Sequence, residues 1–445
     1  MTQLGKFLFA CLAAAVACSA YGQNCGLPLA SPQAAGFSAQ RLTHLDDAFE
    51  RLTDEKVLAG AVVILARHGK VISCKKYGYQ DLVSRTPMQL NTIFRLASMS
   101  KPIIGAAMMI LYEEGKWKPS DPIAKFIPEL SSLRVFSGVD KNGKMILKEP
   151  KHEPTIRELL THTAGFTYGF FGNNPVEALY RQVDPLKSSS SAAFIEKLRK
   201  LPLLYQPGTR WVYSLSVDIQ GVLIERLSGM SLPDFLRTRI FDPLGMTDTG
   251  FYVPTEKRSR LAIAYGAPVD GGPLKAFPIE PGVGKEPGFA SGGGGLYSTA
   301  HDYLQFAQML LNKGVLDGVR ILAPSSVSLM ITNHLADSLL TKRFGVGTFV
   351  FQPGLGYGYD LAVYDNPVEL GDPMGRGTFT WPGATGVWFW VDPTNALVFV
   401  GMIQRTLLVP PGSTLGALSR ALVNQPDFVS LSQALTYQAL TEPNR

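Results

Sequence analysis

The stretch Phe94-Arg-Leu-Ala-Ser-Met-Ser-Lys-Pro-Ile-Ile-Gly-Ala-Ala-Met-Met-Ile-Leu111 decides how this chain is interpreted, because it opens an apolar helix with Ser98 and Lys101. Residues three apart share a helix face, with Cβ atoms roughly 5–6 Å apart. A serine hydroxyl becomes a good nucleophile when an adjacent base takes its proton. Because burial disfavours the charged form of an amine, a buried lysine can be that base. The pattern predicts Ser98 as nucleophile and Lys101 as its base.

The Ser-x-x-Lys spacing is also common by chance, and its simpler interpretation is a helix-capping serine followed by a solvated lysine. The segment after Lys101 is apolar on every side, which favours a buried helix. Residues elsewhere in the chain must decide between the two interpretations.

Composition indicates a folded globular protein. The chain has 445 residues, of which 46% are hydrophobic and 18% charged, and its net charge is +6. The length fits two average domains or one large domain with an insertion. Lysine and arginine do not cluster with aromatic residues, so no nucleic-acid partner is predicted.

Residues 1–22 have the pattern of a secretory signal peptide. Lys6 precedes the apolar run 7–17, and small residues follow it. The run is too short to span a membrane, so we expect a periplasmic or secreted protein without stable membrane insertion. A lipid anchor at Cys18 is a less favoured alternative, because Ala15 fits poorly the large aliphatic residue usual at that position.

After signal removal the cysteines are Cys25 and Cys74. A secreted protein can form disulfides, so a Cys25–Cys74 bridge is a hypothesis. Two cysteines cannot make a zinc site by themselves, and no metal or other cofactor is expected.

Strand patterns lie at both ends of the chain, with helical patterns between them. The predicted strands cover 59–67, 71–77, 378–381, 387–391 and 396–403, and a last helix covers 428–440. We therefore predict an α/β (α+β) domain with an antiparallel sheet from 23–97 and 296–445. A mostly helical domain, 98–295, is inserted at the nucleophile helix.

Other residues fit a catalytic serine–lysine pair. Tyr213 stands just before a helix that begins near Ser216, where its phenol could relay a proton. The run Trp381-Pro-Gly-Ala384 closes a strand, where Gly383 lets substrate approach and the Ala384 amide could face a carbonyl oxygen. We interpret His162 as a structural histidine whose ring bonds nearby backbone, and the glycines 292–295 as a tight turn.

With these residues in place, the sequence resembles the serine β-lactamase-related hydrolases, and it is closest to the β-lactamase-like (family VIII) carboxylesterases. The ordered matches extend over most of the mature chain and include residues 94–102, 121–129, 159–165, 207–213, 243–246 and 293–299. The resemblance implies a β-lactamase/penicillin-binding-protein-like fold. It also implies Ser98 as acyl-forming nucleophile, Lys101 as its base partner and Tyr213 as shared acid and base. The oxyanion hole would be the backbone amides of Ser98 and Ala384.

Two departures from the β-lactamase pattern narrow the substrate. In the Tyr-x-Asn motif of β-lactamases, the position of the asparagine is occupied here by Leu215, which cannot bond the amide side chain of a β-lactam. Trp381-Pro-Gly replaces the Lys-Thr-Gly motif, so the cation that would hold a substrate carboxylate is missing. The chain also lacks the Gly-x-Ser-x-Gly elbow of α/β-hydrolases. The pocket therefore favours a neutral ester, and the predicted substrate-binding residues are Trp381, Gly383, Leu215, Tyr168 and Phe170. Packing within their own loop is the alternative for Tyr168 and Phe170.

We predict a serine carboxylesterase that forms an acyl-serine on a small-molecule ester. An amide-bond hydrolase or an acyltransferase of the same mechanism, and a non-catalytic wall-binding relative, are the alternatives. The sequence does not define the oligomeric state.

Overall fold

A computed structural model describes residues 25–170, 172–269, 272–277, 282–340, 344–346, 349–408 and 426–442. The predicted signal peptide and Cys18 lie outside these residues. Within this part of the chain, no helix is both long and apolar enough to cross a membrane.

The helices concentrate between residues 101 and 244. In chain order they are α1 (Ala39–Asp54), α2 (Lys101–Glu113), α3 (Ile156–Leu160), α4 (Pro175–Val183), α5 (Ser191–Leu198), α6 (Ser216–Ser228), α7 (Leu232–Leu236), α8 (Asp242–Leu244), α9 (Ala300–Leu311), α10 (Pro324–Met330), α11 (Asp337–Leu340), α12 (Pro367–Leu370) and α13 (Phe428–Tyr437). Short 3-10 turns cover Gln33–Ala35, Ala97–Ser100, Ile123–Lys125, Pro128–Leu130 and Thr255–Arg260, and a π-helical turn covers Arg237–Phe241.

The strands lie mostly toward the two ends of the chain. They are β1 (Gly60–Arg67), β2 (Lys70–Asp81), β3 (Thr86–Pro87), β4 (Phe94–Arg95), β5 (Val135–Val139), β6 (Met145–Lys148), β7 (Tyr265–Pro268), β8 (Lys275–Ala276), β9 (Tyr297–Ser298), β10 (Val315–Leu316), β11 (Val319–Arg320), β12 (Phe344–Val346), β13 (Phe349–Phe351), β14 (Leu355–Tyr357), β15 (Ala362–Tyr364), β16 (Thr378–Thr380), β17 (Trp388–Asp392), β18 (Leu397–Met402) and β19 (Arg405–Leu408).

The main sheet has the strand order β14-β15-β16-β17-β18-β1-β2-β3, and its pairs are antiparallel. Strand β1 is buried at every position because both sheet faces are covered. Consecutive residues of β1, such as Val62 and Val63, point to opposite faces of the sheet and pack in two different cores. One core contains α1 and α13, and the other contains α2, α6 and α9.

The sheet confirms the predicted fold class, and the strand bounds differ from the predicted ones by a few residues. Strand β2 runs on to Asp81, beyond the predicted end at 77. The short strands β14 and β15 were not predicted. Hairpin β5–β6 lies in the segment predicted as mostly helical, and β19 pairs with β7, so strand pairing also joins the two predicted domains.

Helix α2 is buried on all sides from Lys101 to Leu111. It follows the 3-10 turn Ala97–Ser100, and Ala97 has a left-handed backbone with φ 45°. A positive φ is uncommon for a residue with a side chain and marks a strained turn. This turn and the first residue of α2 carry the predicted nucleophile and base.

Cys25 and Cys74 form a disulfide, with Cα atoms 6.3 Å apart. It ties the segment before α1 to strand β2, as the sequence-based hypothesis required.

Candidate active site

The structure brings Ser98 and Lys101 together. Lys101 Nζ donates to Ser98 Oγ at 3.2 Å. The Lys101 side chain has no exposed surface, whereas Ser98 is half-buried. The capping-serine interpretation with a solvated lysine is therefore wrong, because this lysine lies inside the protein.

Lys101 has a second acceptor in the glycine run. Its Nζ donates to the carbonyl oxygen of Gly293 at 2.6 Å. Residues 292–294 form a turn, as predicted. A Cβ atom on Gly292 would lie 2.6 Å from the carbonyl oxygen of Val217, so the turn needs glycine to approach α6 this closely.

Tyr213 lies beside this pair. Lys101 Nζ is 4.5 Å from the centre of the Tyr213 ring and 5.5 Å from that of Tyr168, within the range of cation–π contacts. Trp381 Nε1 donates to the Tyr213 hydroxyl at 3.4 Å. The three residues predicted to carry the chemistry therefore occupy one cluster.

The end of strand β16 is fastened to the backbone just before Ser98. Thr385 Oγ1 donates to the Arg95 carbonyl oxygen at 2.7 Å, and a Cβ on Gly383 would overlap the Leu96 carbonyl oxygen. The Gly383 amide donates to the Val387 carbonyl oxygen at 2.7 Å. Ala384 is exposed, and its amide donates to no residue that the structure describes. This leaves the amide available for the predicted oxyanion hole.

His162 is fully buried, and the structure supports a packing role. Its ring contacts Trp211, Tyr213 and Tyr357. Burial, with a smaller contribution from the charge of Lys101, holds the pKa of His162 well below its usual value. One detail of the prediction is wrong: the ring bonds the Ser214 hydroxyl, at 3.1 Å, and not backbone.

The predicted lining residues occupy different positions. Phe170 is 62% exposed and stacks on Tyr168, with ring centres 5.3 Å apart. Trp381 is buried against Tyr213. The Leu215 side chain has no exposed surface and packs in the core, because it precedes α6 at a buried bend. In this structure it cannot touch a substrate, so that prediction is corrected.

The sequence analysis missed two buried acids near Lys101. Asp218 accepts from Ser291 Oγ at 2.5 Å and from the Gly293 amide at 3.1 Å. Asp360 accepts from Gln220 Nε2 at 3.1 Å. Burial raises the pKa of both carboxyl groups, and the charge of Lys101 partly opposes this. The available signal for Asp218 was a carboxylate between the apolar residues Val217 and Ile219, in the first turn of α6.

An antiparallel sheet covered by helices, with a serine–lysine–tyrosine cluster beside it, defines the β-lactamase and penicillin-binding-protein class of fold. Residues 45–422 match the family model described as Beta-lactamase. The protein belongs to the beta-lactamase family.

Curated relatives and solved structures cover most of the chain. It is 37% identical over 402 residues to Protein Rv1367c of Mycobacterium tuberculosis, covering 88% of this chain and 98% of that protein. It is 31% identical to Esterase EstB of Burkholderia gladioli, covering 80% and 88%. The structure of EstCE1, a hydrolase with promiscuous acyltransferase activity, is similar with a TM-score of 0.67 and 27% identity, covering 86% and 98%.

Proposed function

We propose that this protein is a serine carboxylesterase that hydrolyses neutral carboxylic esters through a covalent acyl-Ser98 intermediate. The observation that carries the proposal is the 3.2 Å contact between Ser98 Oγ and the buried Lys101 Nζ, with Tyr213 beside them. The esterase name of a relative 31% identical to this chain supports the choice of ester.

In the first half of the reaction, Ser98 Oγ attacks the ester carbonyl carbon and its proton passes to Lys101 or Tyr213. The amides of Ser98 and Ala384 stabilise the oxyanion of the tetrahedral intermediate. The bond to the alcohol oxygen then breaks, and the alcohol leaves with that proton. In the second half, water attacks the acyl-serine, which releases the acid and restores the Ser98 hydroxyl.

The preference for neutral esters rests on the surroundings of the nucleophile. The strand end that follows β16 presents Trp381 in place of a lysine, and the Trp381 ring contacts Tyr213. Tyr168 also contacts Tyr213 and stacks on Phe170. An aromatic wall binds apolar acyl or alcohol groups and offers no charge to a carboxylate.

Three substrates test the proposal. We expect turnover of p-nitrophenyl butyrate to exceed that of a chromogenic cephalosporin and of a D-alanyl-D-alanine peptide. Ser98→Ala should remove ester hydrolysis and the mass adduct formed with a fluorophosphonate. Lys101→Ala and Tyr213→Phe should each lower kcat/KM by about 10²–10⁴-fold. Ester turnover by purified Ser98→Ala, at the wild-type rate, would refute the mechanism.

Acyl transfer to an alcohol is a second candidate, favoured by the promiscuous acyltransferase activity ascribed to EstCE1. The acyl-serine is common to both reactions, and the acceptor alone differs. Adding an alcohol to the ester assay and measuring the new ester against the free acid distinguishes them. A larger rate on the peptide than on the ester would instead identify an amide-bond hydrolase.

We also propose that the protein acts in the periplasm or outside the cell. The Cys25–Cys74 disulfide is compatible with an oxidising compartment. Cell fractionation followed by the ester assay tests this, and activity confined to the cytoplasm would contradict it.

A further inference from the structure

Asp218 is a buried carboxylate that the proposed reaction does not use directly. It lies in the first turn of α6 and has no exposed surface. One oxygen, Oδ1, accepts from Ser291 Oγ and from the Gly293 amide. The other, Oδ2, has no hydrogen-bond partner among the described residues. A buried group of this kind needs an explanation beyond helix capping.

Gly293 connects Asp218 to the catalytic lysine. Its N–H donates to Asp218 at 3.1 Å, and its carbonyl oxygen accepts from Lys101 Nζ at 2.6 Å. One residue of the turn therefore contacts the carboxylate through its amide and the amine through its carbonyl. Whatever fixes the position of Gly293 also fixes the acceptor of Lys101.

The turn is tightly fitted at this residue. A Cβ atom on Gly293 would lie 2.6 Å from Asp218 Oδ2 and 2.8 Å from the Tyr168 hydroxyl oxygen. A Cβ on the next residue, Gly294, would meet nothing nearer than 3.5 Å, which is ordinary van der Waals contact. Neither glycine has a left-handed backbone, so a positive φ does not disfavour alanine at either position.

The orientation of the amine matters for its chemistry. Lysine carries its amine on a flexible stem with rotatable donors. An amine that takes a proton from Ser98 must direct its lone pair at that hydroxyl, so its N–H groups need other acceptors. The Gly293 carbonyl supplies one.

We propose that Asp218 is a positioning residue for this reaction: by holding Gly293, it fixes the carbonyl that orients Lys101 Nζ toward Ser98 Oγ. The inference rests on the proposed function and adds to it a residue that touches neither the substrate nor the reacting atoms.

Two pairs of variants in the full chain test this proposal. Asp218→Ala removes the acceptor of the Gly293 amide, and we expect kcat and the rate of fluorophosphonate labelling of Ser98 to fall about 100-fold while KM changes little. Asp218→Asn keeps an oxygen that can accept from Ser291 and Gly293. It should retain about a fifth or more of the wild-type rates.

The second pair tests the same contact without removing the carboxylate. Gly293→Ala crowds Asp218 Oδ2 and the Tyr168 hydroxyl, which displaces the Gly293 carbonyl, and it should lower both rates about tenfold or more. Gly294→Ala, in the same turn, should stay within about twofold of wild type. This pair also decides the outcome if Asp218→Ala does not fold.

The proposal is overturned if Gly293→Ala and Gly294→Ala have equal labelling rates. It is also overturned if folded Asp218→Ala labels at the wild-type rate, or if Asp218→Asn loses as much as Asp218→Ala, because charge and not geometry would then be the cause. Wild-type protein that neither labels on Ser98 nor hydrolyses esters would instead refute the proposed function.

Discussion

Lys101 is buried, yet its partners are neutral. Its amine meets a hydroxyl and a backbone carbonyl, and it forms no ion pair with a carboxylate among the described residues. An amine engaged by a carboxylate would be a poor proton acceptor for Ser98, because the ion pair would have to break first. Asp218 and Asp360, the two buried acids on which the charge of Lys101 acts, are bonded to a serine, a backbone amide and a glutamine side chain.

The oxyanion role that we propose for Ala384 belongs to its backbone amide, so two substitutions at this residue separate that role from any effect of the side chain. Ala384→Pro removes the N–H, and we expect kcat for ester hydrolysis to fall about 10²–10³-fold. Ala384→Gly keeps the N–H and should remain close to wild type. Steady-state kinetics on p-nitrophenyl butyrate, with thermal melts as the folding control, measure both. Equal activity of the two variants would place the oxyanion donor elsewhere.

Asp360 gives a pH-dependent prediction. Burial raises its pKa well above 3.8, against the Gln220 hydrogen bond and the charge of Lys101. A carboxyl group whose pKa is higher in the folded than in the unfolded protein stabilises the fold in its protonated form. This stabilisation is complete below the unfolded pKa and is lost as pH rises through the folded pKa. The asparagine in Asp360→Asn does not titrate. The free energy of unfolding of this variant, relative to that of wild type, should therefore increase by about 1 kcal/mol or more as pH rises from about 4 to 8.

The backbone at Asp360 does not prevent this test. Its φ is 62°, a conformation that asparagine tolerates well. Asp317→Asn is the matched control, because Asp317 is exposed and also left-handed, with φ 47°. Urea unfolding of both variants across the pH range measures the difference. A gain that does not change with pH, or one shared by Asp317→Asn, would contradict the assignment.

At the scale of elements, the segment that follows β16 can lie close to the backbone just before Ser98 because residue 383 is glycine. A methyl group there would overlap the Leu96 carbonyl oxygen and crowd Val387 Cγ2, at 2.6 Å. Gly383→Ala should therefore push residues 382–384 away from Ser98. We expect about a 100-fold loss of kcat and about 1–3 kcal/mol of stability. Ala384→Gly, in the same loop, is the control, and full activity of Gly383→Ala would show that this contact does not position the site.

The sequence could predict those elements whose patterns are local. Strand β1 could be predicted because its run is rich in β-branched residues and the turn signal His68-Gly-Lys70 follows it. The Ser98–Lys101 contact follows from helix spacing. The contacts of Gly293 could not be predicted from the sequence, because its partners Asp218 and Lys101 are 75 and 192 positions away in the chain. Strands β14 and β15 have three residues each, too few for a period alone to indicate a strand. Strand β16 is equally short, but it was predicted as part of the longer run 378–381. Leu215 was assigned from a motif position, and the bend before α6 buries its side chain.

For the whole molecule, the main sheet separates two cores, and the segment before α1 lies along its β2 side. That segment is held by backbone hydrogen bonds between Val71 and residues Pro28 and Ala30, each 2.8–2.9 Å long. The Cys25–Cys74 disulfide adds a covalent link beside them. Strand β2 pairs with β1, which is buried between the cores, so the link fastens the start of the described chain to the centre of the fold.

Loss of this link should therefore lower stability and leave catalysis intact. The cysteines are 49 residues apart in sequence, and a loop of that size corresponds to about 2–4 kcal/mol of stabilisation. We expect the double variant Cys25→Ser, Cys74→Ser to unfold at lower urea concentration and to hydrolyse esters at the wild-type kcat. Reductant should bring wild type to the level of the double variant and leave the variant unchanged. In wild-type protein produced without residues 1–22, the cysteines are Cys25 and Cys74. Two titratable thiols in that protein, unfolded without reductant, would show that the bridge does not form, because a disulfide leaves none.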